Sequence, residues 1–526
     1  MDQHCDVVIV GARLAGACAA THLARAGVDV VALDRSSFPS DQFSTHLLFP
    51  DGINEVRKMG ALDGIQAHNP TRSLYLSLTI DGGTADEVRV FERWRNAGPI
   101  DYCMCVPRIL QDVELVKAAR AAGADVRERH KLVEVLWRGG RACGVRYADA
   151  EGRQHNLYAR LVVGADGRRS SVAAQVGANT PYRASRNGRG LVFRYADDPL
   201  YGTRDGETIH QYRDGGSMAF VFPSAPAPRM LMLFMGAAEE AATALADPEA
   251  YWEAKLRQHP TLAKRVAGAT NLSAVRGTGD TTGFFRASSG PGWALIGDAG
   301  HFKDPVLGQG QRDALWTGRR LAEVVVESLH DTRELDLAVR QWEQERDHEC
   351  LHAYHFGNIE TEPLPASPVL TEILRRQTQD GATTPNLGDL YGRARTMPQV
   401  LNTGRLVRGL ADTLRHHRRN LDTPEAARRV VADIRTQIGV RRELAGKKFR
   451  PSAVVVGSDR PDPTPPAPVR PPARVLSDAP NVEPVPAPAA ELKPKPKAPT
   501  TRRSSDPIPK TEPHVLTAET REEAAQ

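Results

Sequence analysis

Three short stretches hold the residues of this chain whose types and spacing could do chemistry. The first, DVVIVGARLAGACAATHLARAGVDVVALDR, puts Gly11 and Gly16 between two apolar runs and closes the second run on Asp34, followed by Arg35. Asp6 to Val10 is a β-branched run suited to a strand buried on both faces, Ala15 to Ala26 reads as a small-residue helix, and Val28 to Leu33 reads as a second buried strand. A βαβ unit of this kind grips a dinucleotide. Gly11 makes the tight turn, Gly16 lets helix and strand pack closely, the diphosphate lies over the helix N-terminus, and Asp34 accepts the adenosine ribose hydroxyls. The usual middle glycine is Arg13, which compromises close backbone approach; its N–H can still face a phosphate and its guanidinium could add a charge-assisted contact. A unit of this shape that has lost its nucleotide is the alternative.

The other two stretches lie far downstream. RLVVGADGRRSSVAAQVG sets a strand, Leu161 to Val163, before Gly164, Asp166 and Gly167. GPGWALIGDAGHFKDPVLGQGQRDALWTGRRLAEVV sets a strand, Trp293 to Ile296, before Gly297 and Asp298, and then a glycine loop, Gly308 to Gly310, that opens a long helix. As an ordered set the three motifs resemble the flavin-dependent enzymes of the p-hydroxybenzoate hydroxylase fold, a group that includes geranylgeranyl-reductase-like enzymes and flavin halogenases. The resemblance covers about residues 5 to 360.

It implies FAD held by Gly11, Arg13, Ala15, Gly16, Asp34, Arg35, Arg108, Leu132, Asp166, Asp298, Pro305, Gly308, Gln309 and Gly310. Arg108, just before a helix from Gln111 to Ala121, would lie near the flavin phosphates or ribityl chain, and Leu132 would touch adenine through its backbone. Asp166 belongs to the family's D-G motif, a shared FAD and pyridine-nucleotide contact, and Asp298 would hold the ribityl or diphosphate region. The N–H groups of Gly308, Gln309 and Gly310 would face the ring, where negative charge develops on reduction. Two departures leave the substrate open: Arg312 stands where most hydroxylases of the fold have asparagine, and Asp304–Pro305 where they often have two prolines.

Residues outside these motifs carry weaker signals. His46, in the loop Ser44–Thr45–His46 after the second strand, is a candidate proton shuttle or substrate contact, weighed against an ordinary loop histidine. His348, Glu349 and His352 spell a literal H-E-x-x-H, but no third ligand is in frame, so no metal is expected. Arg319 and Arg320 could meet a phosphate or solvent. Strands expected at Gly190 to Tyr195, Glu207 to Tyr212, Ser217 to Phe222 and Arg229 to Met235 would cover the flavin. Their Met218, Phe220, Phe222, Met230, Met232, Phe234 and Met235 suggest either an apolar wall or ordinary core. GTGDTTG from Gly277 has the wrong spacing for a second nucleotide unit, so NADH or NADPH would visit the same cleft transiently.

The expected fold is α/β: a Rossmann-like FAD-binding domain over 1–180 and 276–345, an inserted mainly antiparallel substrate sheet over 181–275, a helical region over 346–450, and a disordered Pro-rich tail over 451–526. That tail holds 18 of the 38 prolines and is a possible docking site for a protein partner. With 526 residues and 40% hydrophobic content the chain has ample core-forming material, and no apolar run reaches membrane-spanning length. The apolar start runs straight into a glycine turn without a basic leader or cleavage site, so a cytoplasmic protein is expected. The six cysteines show no ligand spacing and read as reduced, mostly buried thiols.

Net charge is +5, yet Arg405 to Arg450 alone carries 13 Lys/Arg against 5 Asp/Glu. Helical spacing of Leu406, Leu410 and Leu414, and of Val430, Ile434 and Ile438, argues that the apolar side chains face inward and the charges form a solvated outer face. Nucleic acid or a membrane surface is the less favoured reading of that basic segment. The favoured activity is monooxygenation of a small apolar or aromatic substrate with NAD(P)H and O2. A geranylgeranyl-type alkene reductase is the alternative, and a non-enzymatic scaffold the third. A halogenase is disfavoured because ERWRNAGPI lacks the W-x-W-x-I-P order.

Overall fold

The computed structural model describes residues 3–445 apart from 96–97, 186–187, 381–386 and 417–423, so the Pro-rich tail lies outside the described residues. The β-branched run becomes Val7–Val10, the strand at which the order of a six-stranded sheet reverses. From it the chain steps one way, to Val30–Asp34 and Asp125–Glu128, and later returns on the other side as Leu161–Gly164 and Trp293–Leu295, all parallel. Only the edge strand Ser289–Gly290 runs antiparallel. Helix Leu14–Arg25 crosses between the first two strands and lies against the helix Gly310–Ser328. Their approach is close enough that a Cβ on Gly318 would stand 2.5 Å from the Ala15 carbonyl oxygen.

A second sheet of seven strands faces the crevice. Its order is Arg276–Thr278, Leu191–Asp197, Arg229–Met235, Ser217–Pro223, Thr208–Asp214, Tyr75–Ile80 and Val88–Arg93. The last two strands and Arg276–Thr278 come from outside 181–275, so the sheet is wider than the insertion read from sequence. Tyr75–Ile80 joins by parallel pairing with Thr208–Asp214. The period-2 alternation of a strand splits the expected apolar wall in two. Met218, Phe220, Phe222 and Met235 share one core with the flavin-loop side, whereas Met230, Met232 and Phe234 pack on the opposite face with Tyr251 and Trp252.

After the long helix Thr332–Glu360 the chain forms further helices, including Pro368–Asp380, Leu387–Tyr391, Thr403–His416 and Pro424–Ala445. Val369, Ile373, Leu390, Tyr391, Val430 and Val440 belong to the same apolar cluster as Phe49, Trp94 and Phe222, so this region closes over the second sheet. No described helix is long and apolar enough to cross a membrane.

The inward orientation expected for both apolar stripes holds only in part: Val430 is buried, but Leu414, Ile434 and Ile438 stand at 52%, 37% and 47% exposure. All six cysteines are free thiols; Cys5 and Cys143 are only half-buried.

Candidate functional site

Where the strand order reverses, the carboxyl ends of the strands leave a crevice, the place such sheets bind ligands. Here it is a cavity of about 520 Å³. Gly11, Arg13, Ala15, Asp34, Arg35, Arg108, Leu132, Asp166, Asp298, Pro305, Gly308, Gly310 and His46 all line it; Gly16 and Gln309 do not. Gly16 acts from behind, since a Cβ there would stand 1.8 Å from the Gly11 carbonyl oxygen. Gly11 itself has φ +102° and a Cβ would meet the Ala165 oxygen at 2.4 Å, so neither position tolerates a side chain. The floor of the crevice is bare backbone at the start of Leu14–Arg25, whose N-terminus no side chain caps.

The charged groups around that bare N-terminus are organised by a residue the sequence reading missed. Asp112, fully buried, accepts from Arg13 Nη1 at 2.7 Å and from Arg108 Nε at 2.6 Å and Nη2 at 2.9 Å. Arg13 also donates to the Ser40 backbone oxygen at 3.2 Å and hydroxyl at 2.9 Å. Arg108 is the first residue of its helix, which begins three residues earlier than expected, and Asp112 follows one turn later. One carboxylate thus holds two guanidiniums on the cavity wall, an arrangement that leaves a net positive charge facing it.

The other acids divide into held and open groups. Asp34 accepts the Ala12 N–H at 2.9 Å and the Ser36 N–H at 2.8 Å, which fixes its carboxylate at the strand tip. Asp166 accepts the Ser170 hydroxyl and the N–H groups of Ser171 at 2.7 Å and Val172 at 3.2 Å, so it caps helix Ser171–Gln175 as well as lining the cavity. Asp298 has no hydrogen-bond partner among the described residues, and burial pushes its carboxyl up against the pull of Arg168, Arg108 and Lys303. It is an open acceptor for hydroxyl groups.

At the other end, Gly308 turns with φ +62°, where a Cβ would stand 2.8 Å from the Phe49 ring, and helix Gly310–Ser328 starts without a side-chain cap. The Gln309 side chain points away from the cavity: its Nε2 donates to the Tyr391 carbonyl and its Oε1 accepts from Arg393 Nε at 2.9 Å. Gln309 can therefore serve the cavity through its backbone alone. Beneath the loop, Lys303 pairs with Asp313, which also accepts from Arg393 at 2.9 Å and Arg312 at 3.2 Å. Burial pushes the Lys303 ammonium down to about 7, with Arg393 and Arg312 acting in the same sense. Asp313 also lies near His301 and Cys350, but its carboxylate is committed to these cations rather than open to a metal ion.

His46 stands on the cavity wall at 1% exposure, with φ +63°, its ring stacked 6.2 Å from Tyr195 and its Nδ1 without a partner among the described residues. Its backbone N–H donates to the Ser44 hydroxyl at 3.0 Å. Burial, reinforced by Arg108 and Arg276, pushes its imidazole down to about 3. It is a neutral ring over the working pH range.

A second, far smaller cavity of about 30 Å³ adjoins the first and shares Thr45, Leu47, Pro305 and Gly308 with it. Phe49, Trp94, Phe220, Phe222 and Tyr391 supply aromatic walls, and its polar groups are few: Thr45, Gln211, the Trp94 indole N–H and the Tyr391 hydroxyl, which donates to Gln211 at 3.2 Å.

Other constellations are structural. Glu349 of the H-E-x-x-H string pairs with Arg312 at 2.9 Å. Arg319 and Arg320 pair with Glu55, Glu323 and Glu345 rather than with a phosphate or solvent. Ser217, His259 and Asp214 stand in hydrolase-like order, but Ser217 is 3% exposed and also accepts from Lys255 at 3.4 Å, so the trio pins a hairpin.

A mainly parallel sheet with bare glycine turns, facing a mainly antiparallel sheet across a large cavity, defines the class: flavin-dependent oxidoreductases of the p-hydroxybenzoate hydroxylase fold. Residues 4–346 match the FAD binding domain family, and the chain belongs to it. Among curated proteins it is 28% identical over 346 residues to the menaquinone reductase of Mycobacterium tuberculosis, covering 64% of this chain and 78% of the relative. It is 24% identical over 339 residues to the digeranylgeranylglycerophospholipid reductase of Methanocella arvoryzae, covering 62% and 79%. The solved structure of PqsL, a probable FAD-dependent monooxygenase from Pseudomonas aeruginosa, shares the fold with a TM-score of 0.54 at 21% identity, over 68% of this chain and 94% of that one.

The residues present fit FAD. Bare backbone at Gly11, an uncapped helix start and two clamped arginines suit a diphosphate, and the open Asp298 carboxylate suits a polyhydroxyl chain.

Proposed function

We propose that the chain is a reductase that carries hydride from NADH or NADPH, through FAD, to a carbon–carbon double bond of an apolar molecule. The observation behind this reading is the second cavity, apolar and aromatic, which meets the first along the Pro305–Gly308 turn. Both curated relatives described above are named as reductases, which favours reduction over the oxygenation preferred from sequence. When bound, FAD supplies the two-electron chemistry.

The chain's residues bind, orient and exclude water. Arg13 and Arg108 face the diphosphate, Asp34 the adenosine ribose and Asp298 the ribityl hydroxyls. The uncapped N-terminus at Gly310 favours negative charge on the ring, while Lys303 beneath the same loop is taken up by Asp313. His46, neutral and buried with Nδ1 unpartnered among the described residues, stands beside the Thr45–Leu47 wall as a fixed polar group and not as a proton carrier. Monooxygenation is the second reading, favoured by the aromatic character of the five side chains around this small cavity.

The deciding measurement is NAD(P)H oxidation by the yellow holoenzyme with apolar alkenes and aromatic compounds, in air and under argon. A reductase consumes NAD(P)H under argon and yields a product with two more hydrogens. A monooxygenase requires oxygen and yields a product with one more oxygen atom. Protein that is colourless and takes up no FAD would overturn both readings.

A further inference from the structure

The C-terminal helices turn part of their apolar surface outward. Val407 and Leu414 on Thr403–His416 are 60% and 52% exposed, and Val431, Ile434 and Ile438 on Pro424–Ala445 are 46%, 37% and 47% exposed. Arginines run beside both stripes at seven-residue spacing: Arg408 and Arg415 on the first helix, Arg428, Arg435 and Arg442 on the second, all exposed. At 3.6 residues per turn Arg428, Arg435 and Arg442 share a face with Val431, Ile434 and Ile438, whereas Arg408 and Arg415 flank Val407 and Leu414 about 100° round the first helix. Two acids of these helices are engaged by cations elsewhere. Asp412 is buried and pairs with Arg376, and Glu443 pairs with Arg183 and His355. Among the described residues no ion pair engages Arg408, Arg428, Arg435 or Arg442; Arg415 alone reaches an acid, Asp412, at 3.4 Å.

We propose that this face docks on an anionic lipid bilayer. A helix that sets Val, Ile and Leu beside Arg on its exposed side lies in the interface of a membrane, the aliphatic groups entering the acyl boundary and the guanidiniums meeting lipid phosphates. Charge complementarity selects this occupant over the others. A second copy of the chain would bring arginine against arginine, and a nucleic acid would match the arginines but leave five aliphatic side chains wet. The segment lies beyond residue 346, where the family match ends, and it shares its core with the chamber wall, so docking would set the chamber close to the lipid. The proposal stands whichever redox reaction the chamber performs.

Flotation of the full-length holoenzyme with vesicles tests it. Phosphatidylglycerol-rich vesicles should carry the protein upward, phosphatidylcholine vesicles should not, and added salt should weaken the effect. With each surface arginine contributing to attraction, the triple variant R428E/R435E/R442E should lose partitioning by roughly a hundred-fold. The variant V431S/I434S/I438S should also lose it, while both keep the flavin content and circular dichroism of the parent. Equal binding to neutral vesicles would overturn the proposal, as would serine variants that float like the parent. Dimerisation, or binding to single-stranded RNA, that disappears on charge reversal while no vesicle binding is seen would overturn it too.

Discussion

At the scale of single residues, the histidine in the cavity shows most directly how burial sets chemistry. His46 sits at 1% exposure and beside Arg108 and Arg276, and burial first and then both guanidiniums penalise a proton on the ring. Its folded value of about 3 lies below the ordinary 6.5, so the unfolded chain binds a proton between those limits and the folded chain does not. Stability from this group is therefore fully present above pH 6.5 and declines as pH falls toward 3. Replacing it by glutamine removes the titration and should flatten that part of the acid limb. Denaturant melts at pH 4 and pH 7 check this: the difference between the two pH values should shrink by about 2 kcal/mol or more in His46→Gln. An unchanged difference would mean the ring is protonated in the folded state.

At the scale of elements, the turn from Val7–Val10 into Leu14–Arg25 decides whether the cavity exists. Gly11 combines φ +102° with a neighbouring carbonyl oxygen 2.4 Å from where a Cβ would go, and that oxygen belongs to the adjacent strand's loop. Gly11→Ala must displace backbone, so it should cost at least about 2 kcal/mol of stability from strain alone. It should also leave the purified protein short of flavin. A yellow, equally stable Gly11→Ala protein would refute the geometry.

This turn was legible in the sequence because glycine spacing and β-branched runs are local signals, and so were the strands Arg229–Met235 and Leu161–Gly164. What was not legible depends on distant partners. Asp112 looks like an ordinary helix acid until the fold brings Arg13, 99 residues away in sequence, onto it. The place of Tyr75–Ile80 in the second sheet was not legible because it is held by parallel pairing with Thr208–Asp214, a contact no local pattern announces. The choice between apolar wall and ordinary core was open for a different reason. The residues were identified, but only the register of the strands shows that Met230, Met232 and Phe234 face away from the chamber.

At the scale of the whole molecule, the part of the chain beyond the family match completes the chamber that the family part begins. Tyr391 lines the chamber and stacks 5.9 Å from Phe49, and two residues later Arg393 spreads its guanidinium over three acceptors: Gln309 Oε1 at 2.9 Å, the Glu349 carbonyl at 3.1 Å and Asp313 at 2.9 Å. A C-terminal segment is thereby tied to the glycine loop through the back of Gln309 and to the ion cluster of Lys303 and Arg312. The guanidinium fork matters more than its charge, because an ammonium cannot reach three divergent acceptors at once. Arg393→Met should lower stability by about 3 kcal/mol, since it leaves the buried Asp313 with fewer partners. It should also raise KM for the proposed apolar substrate more than it lowers flavin content, because Asp34 and the Leu14–Arg25 start, proposed above for the adenosine end, are built from other elements. Arg393→Lys should behave like the methionine variant rather than like the parent. Thermal melts, flavin absorbance and steady-state kinetics on the three proteins measure each of these. A lysine variant indistinguishable from the parent would show that the cluster needs only a charge there, and that the C-terminal segment does not hold the loop.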